Sequence, residues 1–124
     1  MSRDTWETVG EFDNWMNFLF EDIEWCLRVA TAGGNVVVHP NLEIEHEPHQ
    51  TLGGKISPAR TRYWSRNGTV FRINTIGTGL NDSLGWIFTQ LKTGLYELVT
   101  GRFQFSKARF RGLVEGISES VSRL

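Results

Sequence analysis

The sequence is poor in several things that would narrow its class. It has one cysteine, Cys26, so no internal disulfide framework can form and a reducing compartment is expected. No apolar run reaches the roughly 18–20 residues of a spanning helix. Met1-Ser2-Arg3-Asp4 opens polar, unlike the apolar core of a signal peptide. There is no internal repeat, no low-complexity tract and no Asp-x-Asp. Basic residues occur without any recognition motif that would point to nucleic acid, so nucleic acid is not an expected partner. Aromatic residues are plentiful instead: five Trp and eight Phe in 124 residues, enough to fill a core or to mark a surface that meets another domain or a membrane.

The net charge of −1 hides an asymmetry. Residues 1–50 carry ten acids and two bases, whereas residues 51–124 carry eleven bases and four acids. An acidic half suits a cation or sugar hydroxyls, and a basic half suits phosphates or anionic lipid. The two halves can also simply attract each other.

Periodicity divides the chain further. Residues 3–9 suggest a short helical turn ending at Gly10, followed by a turn at Asp13-Asn14. Residues 21–32 predict a helix with Ile23, Cys26, Leu27 and Ala30 on one face, acids in its first turn and Gly33-Gly34 as its stop. Two strands are expected next. Val36-Val37-Val38 reads as a strand buried on both faces. After His39-Pro40-Asn41, the alternation of Leu42, Ile44 and His46 with Glu43, Glu45 and Glu47 has the period of a half-buried strand. Residues 48–57 read as a loop. Helices are expected over 58–73, 84–99 and 106–122, the second with Ile87, Phe88, Leu91, Leu95 and Leu98 as its apolar stripe and Asn81-Asp82-Ser83 as its cap signal.

The candidate chemistry centres on Glu21-Asp22. A carboxylate at a helix N-terminus is held ionised by the helix dipole, which is what a general base requires, although acids in this position also serve simply to cap a helix. His46 at a strand end could reach a metal or sit satisfied in a core, and His49 lies three residues on. Glu21, Asp22, His46 and His49 as a metal-hydrolase set have too few ligands at recognised spacing. Arg66 could bind phosphate as a planar fork or remain solvated, and Trp25 could stack on a sugar or pack internally.

Taken in order, several segments form a row. They are Gly10-Glu11-Phe12-Asp13, then Phe18-Leu19-Phe20-Glu21-Asp22-Ile23-Glu24-Trp25-Cys26-Leu27-Arg28, then Gly33, Val36-Val37-Val38, Pro40 and His46. Ser57-Pro58 and Arg62-Tyr63-Trp64-Ser65-Arg66-Asn67 follow. This row resembles the C-terminal, acceptor-side part of the inverting GT-A glycosyltransferases of family 2, and residues 22–28 lean toward the rhamnosyltransferase branch.

The resemblance implies an α/β fold: a partial GT-A domain over residues 1–73, with two short strands flanked by helices, and an amphipathic helical tail over 74–124. It implies that Asp22 is the catalytic base, that Glu21, Trp25, Arg66 and Asn67 bind substrate, and that His46 contacts a divalent metal, Mg²⁺ or Mn²⁺. The partners implied are a nucleotide-sugar donor, a glycan or lipid-linked acceptor, and the missing nucleotide-binding half or a separate chain that supplies it, since the family's Asp-x-Asp half is absent here. Little activity is expected of this chain alone. The basic tail suggests a second reading, a non-catalytic module at an anionic membrane surface or a protein contact, homo-oligomeric among the options. A cytoplasmic protein, peripheral at the membrane, is expected.

Overall fold

A computed structural model describes residues 2–16, 18–43, 45, 56–74 and 79–123. The chain divides into two compact units, Met1–Glu47 and Pro48–Leu124. The helix expected over 58–73 therefore belongs to the same unit as the tail helices.

In the first unit, α1 spans Arg3–Val9 and α2 spans Glu21–Thr31, with a single 3-10 turn at Asn14–Met16. Ser2 caps α1 by accepting from the Thr5 N–H, and Gly10 ends it at φ +81, a conformation that glycine adopts without strain. The segment after Gly10 is fastened to α2. The Trp25 indole Nε1 donates to the Gly10 carbonyl (2.9 Å), and the Arg28 guanidinium donates to the carbonyls of Val9 and Glu11 (2.7 Å each). Trp6, Phe12 and Trp25 pack with ring centroids 5.6–6.2 Å apart. This aromatic group changes which face of α2 is buried. Trp25 and Val29 point inward, while Ile23 and Leu27 of the expected stripe are 50% and 38% exposed. Two indoles bury more apolar area than the aliphatic stripe offers, and they set the helix's rotation.

The expected α/β architecture is not observed. Among the described residues there is no strand; every regular element is helical. Val36, Val37 and Val38 lie outside regular structure at 56%, 77% and 89% exposure, and Leu42 is 72% exposed. The turn at His39-Pro40-Asn41 does form, closed by the Leu42 N–H on the His39 carbonyl. A strand needs a neighbour for its N–H and C=O groups. No described segment lies beside the valines to supply one, so apolar pattern alone does not make them a strand. Ile44, His46 and Glu47 lie outside the described residues.

The second unit holds α3 (Pro58–Asn74), α4 (Leu80–Val99) and α5 (Phe103–Ser122). Pro58 occupies the first helical position of α3, and the Ser57 hydroxyl before it accepts from the Arg60 N–H. The start of α4 precedes the expected cap. Asn81, Asp82 and Ser83 are already helical because two of these side chains are used elsewhere: Asp82 pairs with Arg72 (2.7 Å), and Ser83 Oγ donates to the Arg72 carbonyl. Gly101 at φ +77 then closes α4, with the Arg102 N–H reaching back to the Glu97 carbonyl, so α5 begins at Phe103 rather than 106.

Helices α3 and α5 approach each other through small residues. A Cβ on Gly112 would come 2.2 Å from the Arg62 carbonyl oxygen, and one on Gly116 would come 2.5 Å from that of Arg66. Ser65, Thr69 and Ser120 share this seam and are fully buried. Their spacing of four repeats on both helices, the arrangement that lets two backbones meet. A Gly112→Ala substitution is expected to destabilise the protein by about 1–3 kcal/mol through overpacking. At Gly85, in α4 with nothing within 4 Å of its Cβ position, Ala should stabilise by about 0.5–1 kcal/mol. Urea unfolding of the two variants checks the contrast, and equal effects would refute the close-approach account.

Candidate functional site

The acids proposed from sequence stand at the start of α2, behind an unusual turn. Asp13 Oδ1 accepts from the Trp15 N–H, which starts the 3-10 turn. Leu19 and Phe20 then adopt φ +65 and +71, the left-handed region that non-glycine residues rarely occupy. Phe20 is the residue preceding the helix, and its side chain makes no cap hydrogen bond. Such a conformation costs of order 1–3 kcal/mol per residue and persists where surrounding structure imposes it. Its effect here is to turn the chain sharply into α2, so that Glu21 and Asp22 occupy the first turn.

The two acids differ. Asp22 is exposed, and its Oδ1 accepts from the Ile23 N–H at 2.8 Å. It is thus a solvent-accessible carboxylate at the positive end of a helix dipole. Glu21 is half-buried; its Oε2 is enclosed without a hydrogen-bond partner among the described residues. Trp25 is 9% exposed and engaged with Trp6, Phe12 and the Gly10 carbonyl, so its role in this structure is to hold the Gly10–Asp13 segment on α2. A cleft of about 230 Å³ in this unit lies at the other end of α2, lined by Asp4, Thr5, Thr8 and Val9 of α1 and by Val29, Ala32, Gly33 and Gly34, away from the acid pair.

Arg66 and Asn67 belong to the second unit, on α3. The Arg66 guanidinium lies 5.6 Å from the centre of the Tyr63 ring. Burial pulls its pKa below the ordinary guanidinium value, opposed by the charge of Glu115. Asn67 is fully buried. His46 lies outside the described residues. Among those described, no three His, Cys, Asp or Glu side chains gather as a cation site, so the described residues do not by themselves accommodate the implied divalent metal.

No family model, no curated protein and no solved structure matches this chain.

Two charged arrangements in the second unit were not anticipated from sequence. Arg62 grips both oxygens of Glu115 (2.7 and 2.8 Å), and Arg111 adds a third bond at 2.9 Å. Arg109 likewise takes both oxygens of Glu97 (2.8 and 2.9 Å) and the Gln90 Oε1 (2.7 Å), with the Glu97 side chain 5% exposed. These partners are 53 and 12 residues apart along the chain, beyond the reach of any i, i+4 rule. The four-residue recurrence of small residues at Gly112, Gly116 and Ser120 was the signal that could have brought α3 and α5 together.

Partial burial opposes the charge on Glu115, but the bonds from Arg62 and Arg111 outweigh it, and its carboxyl titrates below the usual range. A lowered carboxylate pKa contributes stability that is present above the unfolded-state value of about 4.3 and is lost as pH falls through the folded-state value. The urea midpoint is therefore expected to hold from neutral pH down to about pH 5 and to fall below about pH 4. Glu115→Gln should lower the midpoint at neutral pH and flatten part of that acid-side fall. An unchanged pH profile in the variant would exclude this ion-pair cluster as its source.

Proposed function

We propose that this chain carries the acceptor-side residues of an inverting nucleotide-sugar glycosyltransferase, with Asp22 as the general base. The supporting observation is the placement of Asp22: an accessible carboxylate in the first turn of α2, delivered there by the left-handed Leu19-Phe20 turn. The ordered row of motifs around it supplies the reaction class. In that reaction the acceptor hydroxyl gives its proton to an Asp22 oxygen as its own oxygen bonds to the anomeric carbon. The bond from that carbon to the nucleotide phosphate breaks on the opposite face. The first turn of α2 places helix N–H groups beside the Asp22 carboxylate, which acts as the acceptor of that proton. Glu21, enclosed beside it, shapes the acceptor's approach. A rhamnosyl donor is the finer form of this reading. The donor and any metal are held by a nucleotide-binding segment outside these 124 residues. The exposed valines at 36–38 are apolar surface that such a partner would cover.

The chain alone is expected to transfer no sugar. With a nucleotide-binding segment supplied in cis or in trans, Asp22→Asn should lower kcat by about 10²–10⁴-fold while leaving the donor KM nearly unchanged. Equal kcat in the Asp22→Asn enzyme would end the assignment.

A second reading, placement at a membrane surface, has its own observation. No helix among the described residues is long and apolar enough to cross a membrane, yet the second unit turns apolar side chains outward. On α4, Phe88, Leu91 and Leu95 are 69%, 42% and 56% exposed, whereas Ser83, Gln90, Gly94 and Glu97 are buried. Lys92 is exposed between Phe88 and Tyr96, and on α5 Lys107 and Arg111 are exposed about two turns and about one turn before the exposed Val114. Apolar and basic groups interleaved on outer faces suit an anionic lipid interface. The full chain should sediment with phosphatidylserine-containing vesicles and not with neutral ones, and added salt should weaken the binding. Phe88→Ser with Leu95→Ser should reduce it several-fold without loss of stability. Self-association without vesicle binding would instead make this face a protein contact.

A further inference from the structure

One cavity in the second unit has no part in the reading above. It encloses about 350 Å³ where the beginning of α3, the end of α4 and the beginning of α5 meet, a volume within the range of small-molecule sites. Arg60 and Arg102 line it, with Trp64 and Phe105 as aromatic walls. The Arg102 guanidinium lies 4.4 Å from the centre of the Phe105 ring, and neither Arg60 nor Arg102 makes an ion pair among the described residues. The one acid on the lining, Glu97, has both oxygens taken by Arg109, so its charge does not cancel the other two cations. The helix ends point the same way. Two of the three that border the cavity are N-termini, and α5 starts without a side-chain cap, which adds positive potential to that of the arginines. Half-buried Arg109 on the lining is held by Glu97 and Gln90.

We infer that this cavity binds a phosphate group carried on a flat or apolar moiety, the phosphate between Arg60 and Arg102 and the moiety against Trp64. Arginine suits phosphate because its planar fork donates two parallel hydrogen bonds to one anion. A half-exposed indole (Trp64 is 43% exposed) offers a stacking surface at the mouth. The cavity lies on different elements from Asp22 and Glu21 and does not depend on the glycosyltransferase assignment. Its ligand could be a free phosphate ester or the headgroup of a phospholipid, which present the same chemistry.

The test uses the full-length chain and phenyl phosphate, followed through the indole N–H resonances. The Trp64 signal should shift saturably with phenyl phosphate and less with inorganic phosphate. Arg60→Gln with Arg102→Gln should weaken binding by about tenfold or more, whereas Arg3→Gln, an exposed residue of the first unit, should change it less than about twofold. An unchanged urea midpoint establishes that the double variant is folded. A second arm uses phosphatidylcholine vesicles with and without phosphatidic acid. Phosphatidic-acid-dependent binding that phenyl phosphate displaces, and that the double variant loses, identifies the lipid headgroup as the source. Saturable phenyl phosphate binding without that vesicle effect identifies a free ester. No saturable binding in either arm, or equal binding by the double variant, overturns the inference.

Discussion

The second unit depends on how closely α3 can approach α5. The absence of a side chain at Gly112 and Gly116 lets the Arg62 and Arg66 carbonyls come within the distance a Cβ would occupy. At that separation, Ser65, Thr69 and Ser120 fill the seam fully buried, and the hydroxyls of Thr69 and Ser120 find local acceptors. Thr69 donates to the Ser65 carbonyl at 2.6 Å and Ser120 to the Gly116 carbonyl at 2.7 Å. The Trp86 indole reaches Thr69 Oγ1 from α4 at 3.1 Å. The same proximity brings Arg62 to Glu115. Widening the seam by one methyl group would disturb the packing, the buried hydroxyls and this ion pair together.

This seam explains why the unit is built with polar and small residues inside and many aliphatic ones outside. Close helix approach favours small side chains, and the buried Glu97 is satisfied by Arg109, which also donates to Gln90, whereas the buried Ser65 Oγ has no hydrogen-bond partner among the described residues. The aliphatic residues of α4 and α5 that do not fit the seam face outward. A protein that exposes such a surface normally covers it with a partner or a lipid surface. The basic residues interleaved on these faces make the choice between the two a matter of charge, which salt dependence can separate.

The helical segments were legible in the sequence because their signals are local. Pro58 opens α3, and Gly10 ends α1 at a positive φ. The strands were not legible in the same sense. Val36-Val37-Val38 has the composition of a buried strand, but a strand exists only with a neighbour, and the described residues provide none. The face of α2 was misjudged for a related reason. The period of Ile23, Leu27 and Ala30 is helical, but the partner that decides which side is buried is an aromatic group assembled from Trp6 and Phe12. Of the candidate site, Glu21 and Asp22 in the first turn of α2 could be placed from sequence. The left-handed Leu19-Phe20 turn that presents them could not, since neither residue favours that conformation.

The sequence by itself determined that helices form along these segments, the acidic and basic division of the chain, and the position of an acid pair at a helix start, because each follows from interactions within a turn or two of backbone. Only the tertiary structure decided which helix faces meet, that Trp25 and Asn67 are enclosed, that Glu97 and Glu115 are held by arginines, and that Arg60 and Arg102 share a cavity. Those outcomes depend on residues brought together from distant parts of the chain. Burial and charge pairing are properties of that assembled environment, and no local period encodes them.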